Sequence, residues 1–145
     1  MKTEFVCPKC GSTTLVYKNP LPTVDIIITI QGGFILIKRK NPPFGWALPG
    51  GFVDYGESVE NAAAREAKEE TSLAITDLKL LGVYSAPERD PRRHTISTVF
   101  TARGHGLPEA GDDAIQIQVF NKDNFPKELA FDHLKILQDF FSSGY

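Results

Sequence analysis

The sequence has few of the features that mark secreted, membrane and nucleic-acid-binding proteins. Its 145 residues contain only two cysteines, too few for a disulfide framework. No apolar run approaches the roughly 20 residues that a membrane-spanning helix needs. The residues after Met1 also lack the basic segment followed by an apolar segment that is typical of a secretory signal. A net charge of -2 and a pI near 5.9 argue against a broad basic surface. We therefore expect a cytoplasmic protein whose partners include neither membranes nor nucleic acid.

The composition is that of one globular domain, with 41% hydrophobic and 23% charged residues. The charge is nevertheless unevenly distributed along the chain. Residues 51–81 carry seven acidic and three basic side chains, whereas residues 82–105 carry two acidic and four basic ones. Blocks of opposite sign indicate a site that meets both cations and anions, although solvated faces are the simpler explanation of the charge alone.

Apolar, β-branched segments bounded by turn residues predict strands, and alanine-rich or amphipathic segments predict helices. Ser58 is a plausible N-cap for the first helix. The predicted strands are 24–30, 34–37, 78–84, 95–102 and 115–120, with a short extended piece at 46–48, and the predicted helices are 58–71 and 127–141. Strands with two interspersed helices predict an α/β sandwich.

Three glutamates crowd one face of the first predicted helix. Glu66 lies three and four residues before Glu69 and Glu70, so the three carboxylates share a patch. At about 5.5 Å and an effective dielectric of about 20, each partly buried pair repels by roughly 3 kcal/mol. A buried cluster therefore requires a cation, and hard oxygen ligands suit Mg²⁺ or Mn²⁺. A solvated acidic face is the alternative, but Gly50 and Glu57 just upstream favour a metal site.

These residues stand in a long pattern of fixed spacing. Gly51 is followed after five residues by Glu57, and after seven more by the run 65–73, REAKEETSL. This pattern resembles the signature of the Nudix hydrolases. Two positions depart from it: Ala67 stands where the family has a larger aliphatic residue, and Ser72 stands where it has glycine. Neither departure removes a carboxylate.

The resemblance implies a Nudix-type α/β/α sandwich with a mixed β-sheet. It also implies metal-dependent hydrolysis of the pyrophosphate bond of a nucleoside diphosphate linked to another moiety, with Mg²⁺ or Mn²⁺ as cofactor. The implied metal ligands are Glu66, Glu69, Glu70 and the Gly50 carbonyl, and the implied catalytic set is Glu57, Arg65, Glu69 and Glu70. In this set Glu57 is a supporting carboxylate and Arg65 orients the glutamates.

The general base stays open. Many family members carry a further glutamate after the second core hairpin, and the best match here is Gln116, which cannot take a proton. The base is then Glu69, Glu70 or Asp113.

Further segments resemble the ADP-ribose pyrophosphatase branch of the family. They are residues 41–43, 46–49, 52–56, 84–87 and 129–133, so the resemblance covers roughly residues 19–141. It implies cleavage of ADP-ribose to AMP and ribose 5-phosphate. A pyrophosphohydrolase of nucleoside triphosphates and a non-catalytic Nudix-fold nucleotide sensor are the alternatives.

The basic segment supplies candidates for substrate binding. Arg89, Arg92 and Arg93 lie in a charged loop where they would grip phosphate or ribose, and a solvated turn explains them equally well. Phe44 and Tyr84 are candidates to stack on adenine.

Cys7 and Cys10 have the spacing of half a zinc ribbon, but no second pair follows and no histidine stands at ribbon spacing. Three interpretations stay open: free thiols of a vestigial ribbon, a zinc site completed by the second subunit of a homodimer, and a redox pair. We predict an amino-terminal extension over residues 1–18 and a Nudix hydrolase domain over residues 19–145.

Overall fold

The computed structural model describes residues 1–111 and 113–144, so Asp112 and Tyr145 lie outside the described residues. Within this range lie nine strands and two helices. In chain order they are β1 (Lys2–Val6), β2 (Thr13–Tyr17), β3 (Leu21–Ile30), β4 (Gly33–Arg39), β5 (Gly45–Ala47), β6 (Gly50–Phe52), α1 (Val59–Thr71), β7 (Ala74–Tyr84), β8 (Thr95–His105), β9 (Ala114–Phe120) and α2 (His133–Ser142). No helix in this range is long and apolar enough to span a bilayer.

The main sheet is mixed. Five strands lie in the order β5, β4, β3, β8, β7, while β6 pairs with β3 and β9 pairs with β4. The pairing of β3 with β8 is parallel and runs from Leu21 opposite Thr95 to Thr29 opposite Arg103. The other pairings are antiparallel. The predicted α/β fold with a mixed sheet is confirmed.

Two hydrophobic cores lie on opposite faces of this sheet, because successive side chains of a strand point to opposite sides. Ile26 and Ile28 of β3 pack in one core with the alanines of α1. Ile27 packs in the other core with Ile136 and Leu137 of α2. Burial on both faces explains why β3 reads as a continuous apolar run rather than an alternating one.

Helix α1 begins and ends by recognisable local contacts. The Ser58 hydroxyl accepts a hydrogen bond from the Asn61 N–H at 3.2 Å, as expected of an N-cap. At the other end Ser72 has φ 60°, in the left-handed region, and its N–H donates to the Lys68 carbonyl. A serine in place of glycine here costs on the order of 1 kcal/mol.

The prediction of a helix over residues 127–141 is wrong over its first six residues, because α2 begins at His133. Leu129 forms a parallel bridge with Trp46, and the Ala130 N–H donates to the Trp46 carbonyl at 2.8 Å. Phe131 then takes φ 60°, which an α-helix does not allow. Pairing with β5 therefore overrides the local helical pattern.

The amino-terminal residues form a hairpin that the sequence analysis did not anticipate. β1 and β2 pair only with each other, from Lys2 opposite Tyr17 to Val6 opposite Thr13. Cys7 and Cys10 lie in the turn as free thiols. Among the described residues no group of three or more histidine, cysteine or acidic side chains could hold a metal ion, so one chain does not complete a zinc site there.

Candidate active site

Arg65 lies at the centre of the acidic cluster on α1. Its guanidinium donates to Glu57 at 2.9 Å through both Nε and Nη2, to Glu66 at 2.8 Å and to Glu69 at 3.2 Å. A further bond of 2.9 Å to the Phe52 carbonyl engages the fifth N–H donor. The hydrogen bonds that Arg65 donates to Glu57 are the largest cause that raises the pKa of Arg65. All five N–H donors of Arg65 are thus engaged, four of them by carboxylates.

Glu66 points at the glycine loop between β5 and α1. Its carboxylate fills the space that a Cβ on Gly51 would occupy, so a side chain at position 51 would displace it. Burial raises the pKa of Glu66, and the hydrogen bond and charge of Arg65 oppose that rise. Glycine at position 51 therefore allows the carboxylate and the loop backbone to come into contact.

Glu70 is the most buried of these glutamates, with 7% of its surface exposed. Its Oε2 accepts a hydrogen bond of 2.8 Å from the Gly50 N–H. Burial raises the pKa of Glu70 to about 8, although the Gly50 N–H acts to lower it. Glu69, on the same turn, has a side chain that is 58% exposed. Two glutamates thus face inward and one faces solvent.

The inward glutamates line a cleft of about 270 Å³. Asp113 lines it too and accepts a hydrogen bond of 3.2 Å from the Asn41 amide. Gln116, by contrast, lies exposed on β9 opposite Lys38. Of the candidates near β9, the structure brings Asp113 and not Gln116 together with the glutamates.

The donor set of this cleft fits a magnesium or manganese ion. No three of the described acidic, histidine or cysteine side chains converge closely enough to form an ion site in this arrangement. Glu70 is nevertheless buried and Glu66 half-buried, both have raised pKa values, and a buried charge is costly unless a cation neutralises it. Carboxylate and carbonyl oxygens are the ligands that Mg²⁺ prefers.

The three arginines of the predicted phosphate-binding loop lie in different places. Arg92 lines the cleft and is held by Asp90 at 2.8 Å. The Arg93 guanidinium lies 5.8 Å from the ring centroid of Phe52, beside the cleft. Arg89 has a side chain that is only 4% exposed and bonds to internal carboxylates, so its charge is largely satisfied within the fold.

The two aromatic candidates do not join the glutamates. Phe44 is 68% exposed in the loop before β5. The Tyr84 hydroxyl donates to Asp139 of α2 at 2.9 Å, and burial together with this bond raises the pKa of Tyr84. Neither residue lines the cleft that holds Glu66 and Glu70.

Arg39 is a cleft residue that sequence reasoning missed, and Phe131 lies against it outside the cleft. Arg39 lines the cleft, and its guanidinium lies 4.9 Å from the ring centroid of Phe131. Arg92 lies over the same ring at 5.2 Å. Burial and the neighbouring Arg92 lower the pKa of Arg39. The signal for Arg39 was the basic triplet 38–40 directly after an apolar strand.

Comparison with known proteins gives consistent matches. The model of the NUDIX domain family matches residues 19–140. The ADP-ribose pyrophosphatase of Methanocaldococcus jannaschii is 52% identical over 128 residues, covering 86% of this chain and 75% of that protein. A MutT/nudix family protein of Enterococcus faecalis has a TM-score of 0.79 at 33% identity, covering 88% of this chain and 63% of that chain. The NUDIX domain of Shewanella oneidensis NrtR, solved in complex with ADP ribose, has a TM-score of 0.77 at 26% identity, covering 88% and 90%.

Proposed function

The chain belongs to the Nudix hydrolases, which act on pyrophosphate bonds, and we propose that it hydrolyses ADP-ribose to AMP and ribose 5-phosphate in a metal-dependent reaction. The observation that carries the proposal is the cleft that Glu66, Glu70 and Asp113 line together with Arg39 and Arg92. The carboxylates are suited to cations and the guanidinium groups to phosphate oxygens. The relative from Methanocaldococcus jannaschii supports ADP-ribose as the substrate.

The proposed roles follow from the placement of each group. The carboxylates of Glu66, Glu69 and Glu70 and the Gly50 carbonyl would hold the ion, while Glu57 and Arg65 orient these carboxylates. When bound, a divalent cation neutralises the pyrophosphate and lowers the pKa of the attacking water. Arg39 and Arg92 would bind phosphate oxygens of the substrate.

The proton of the attacking water requires an acceptor within the cleft. Glu70 and Asp113 line the cleft, and Glu69 lies exposed on the same turn of α1 as Glu70, whereas Gln116 has no proton-accepting group. We assign the general base to one of these three carboxylates.

A second function, a nucleotide sensor that does not turn its ligand over, is supported by two observations. By the family resemblance, Gln116 is the best match to the position where many members carry an additional glutamate. The NUDIX domain of NrtR, which was solved with ADP ribose, is structurally similar to this chain.

A substrate panel tests these functions against one another. The purified chain is incubated with Mg²⁺ or Mn²⁺ and with ADP-ribose, NADH, diadenosine polyphosphates or nucleoside triphosphates, and products are separated by ion-exchange chromatography. We expect the highest kcat/KM for ADP-ribose, with equal amounts of AMP and ribose 5-phosphate, and no turnover in EDTA. A preference for triphosphates would support the alternative hydrolase, and binding without products would support the sensor.

A further inference from the structure

A buried network of polar side chains lies between β3 and the start of α2, next to the acidic cleft but outside it. Its members come from β3, from the loop that follows β7, from β8 and from the first turn of α2. They are Asp25, Arg89, Thr95, Ser97, Asp132 and His133. Desolvation of these charges is costly even though they are paired, so the network is a candidate for a role beyond packing.

His133 connects the network to the glycine loop. Its side chain is 2% exposed, and its Nδ1 accepts a hydrogen bond of 2.9 Å from the Leu48 N–H. Since Nδ1 accepts, the ring proton lies on Nε2, which is 3.2 Å from Oδ1 of Asp25. The imidazole is thus fixed at both nitrogens.

Asp25 and Arg89 hold the other side of that imidazole. Oδ2 of Asp25 accepts hydrogen bonds from the Ser97 hydroxyl and, at 3.1 Å, from Arg89. Arg89 in turn forms a two-point contact with Asp132, at 2.8 and 3.0 Å. Because Asp132 and His133 are adjacent at the start of α2, the contacts form a closed ring. No buried side-chain nitrogen or oxygen in the described range is left without a partner.

The segment from Leu48 to Gly50 has little freedom to move. The Leu48 N–H is held by His133, the Pro49 carbonyl accepts from the Ile26 N–H at 2.8 Å, and the Gly50 N–H donates to Glu70. Gly50 has φ 156°, and a Cβ there would meet the backbone of β3. A displacement at Leu48 therefore has to move the Gly50 peptide.

We propose that His133 is a positioning residue for the metal site. By holding the Leu48 amide, it fixes the Gly50 peptide in the orientation in which its N–H binds Glu70 and its carbonyl is available to a cation. This inference rests on the proposed metal-dependent function. It also gives Arg89 a role in supporting Asp25 and His133 instead of contacting phosphate. Partners that orient metal ligands are typically worth about 10- to 100-fold in metal affinity.

Two substitutions separate the two contacts of the imidazole. His133→Asn places an amide oxygen where Nδ1 stands and keeps an acceptor for the Leu48 N–H. His133→Gln places an amide nitrogen where Nε2 stands, which keeps the contact with Asp25 but leaves the Leu48 N–H without its acceptor. His105→Gln is the matched control, because His105 is exposed and bonds only to Thr76 among the contacts described.

The readout is the Kd for Mn²⁺, measured by electron paramagnetic resonance without substrate, together with urea unfolding of each variant. We expect His133→Gln to raise the Kd by roughly 10- to 100-fold. His133→Asn and His105→Gln should stay within about 3-fold of the wild type. At low Mg²⁺ the kcat for ADP-ribose should fall in His133→Gln and stay near the wild-type value in His133→Asn and His105→Gln.

Three outcomes would overturn the proposal. In the first, His133→Gln is less stable but binds Mn²⁺ like the wild type, which is the result of a purely structural role. In the second, a folded His133→Asn loses as much affinity for Mn²⁺ as His133→Gln. If His133→Gln does not fold, a loss of affinity well beyond about 3-fold in folded His133→Asn overturns the proposal by itself. In the third, the wild type binds no Mn²⁺. A wild type that binds Mn²⁺ but does not hydrolyse ADP-ribose would contradict the proposed substrate and leave the positioning test intact.

Discussion

At the scale of single residues, the four glutamates around Arg65 occupy four different environments. Glu57 shares two hydrogen bonds with Arg65, and Glu66 is half-buried against Gly51. Glu70 is buried and bonded to a backbone amide, whereas Glu69 faces solvent. Identical side chains therefore differ in which oxygens remain available to a ligand, because their burial and their partners differ.

Replacing Glu69 or Glu70 by glutamine should lower kcat for ADP-ribose by at least about 100-fold. Glutamine keeps the size of each side chain but removes its charge and its ability to take a proton. Steady-state assays at several Mg²⁺ concentrations measure the effect, with Glu60→Gln in the exposed first turn of α1 as the control. Near-full activity in both variants would refute the metal assignment.

The substitution Gly51→Ala should lower activity more than stability. The new Cβ would meet the Glu66 carboxylate, which is the flexible end of a side chain and moves aside without disturbing the backbone. We expect a loss of roughly 10-fold in kcat/KM, and a change of less than about 1 kcal/mol in the free energy of unfolding.

Gly82→Ala is the matched control for that substitution, because its nearest contact would be the Tyr84 ring at 3.7 Å. An equal loss of activity in both variants, or none in Gly51→Ala, would contradict the interpretation of Gly51.

The sequence could predict the carboxylates but not the placement of the arginines. Helical spacing is regular, so the shared face of Glu66 and Glu70 follows from counting residues. A loop has no such period, and nothing local distinguishes the buried Arg89 from Arg92 in the cleft. Arg39 meets Phe131 only because β4 and the start of α2 come together in the fold.

At the scale of the elements, tertiary contacts determine where a helix begins when its local sequence pattern does not. Both helices were predicted, and α1 was placed to within a residue because its N-cap is local. α2 starts late because Ala130 bonds to β5, which lies far away in the sequence. The hairpin of β1 and β2 was missed because its strands are exposed on both faces and show no alternation of apolar and polar residues.

Removal of the N-cap should destabilise α1 measurably. Ser58→Ala deletes the acceptor for the Asn61 N–H, and we expect the free energy of unfolding in urea to fall by about 1 kcal/mol. Ser142→Ala, near the exposed carboxyl end of α2, is the comparison and should change it by less than about 0.5 kcal/mol. Equal effects of the two substitutions would argue against capping.

At the scale of the whole molecule, the network around Asp25 joins the sheet, a loop and α2, so its protonation should affect global unfolding. Burial acts to raise the pKa of Asp25, but His133, Arg89 and Ser97 together lower it to about 2. The folded pKa lies below the unfolded value of 3.8, so the contribution of Asp25 to the free energy of unfolding is complete above about pH 5 and is lost as pH falls through 2. It amounts to roughly 2 kcal/mol.

Urea unfolding between pH 5 and pH 2 measures this contribution. We expect the wild type to lose stability more steeply over this interval than Asp25→Asn, which has no carboxyl to titrate at that position. Asp123→Asn, at an exposed turn, is the control and should keep the slope of the wild type. Parallel curves for the wild type and Asp25→Asn would show that Asp25 does not titrate in this range.

The amino-terminal hairpin should be dispensable for folding. Neither hydrophobic core contains a residue from positions 1–18, and β1 and β2 form no pairs with the main sheet. A chain that begins at Asn19 should unfold in a single transition, with a free energy within about 1 kcal/mol of the full chain. Circular dichroism during urea titration is the measurement, and loss of the cooperative transition would place the hairpin within the folding unit.

The parallel pairing of β3 with β8 also determines how much of the chain must be synthesised before the main sheet can form. Thr29 and Ala102, which are bonded across that pair, lie 73 residues apart in the chain. Contacts of such long range form slowly, because a large loop must close before they contribute. The apolar β3 therefore leaves the ribosome long before its partner strand exists. We expect nascent chains that end before β8 to stay dependent on chaperones, and the glutamates to gain their final arrangement only after β8 has been synthesised.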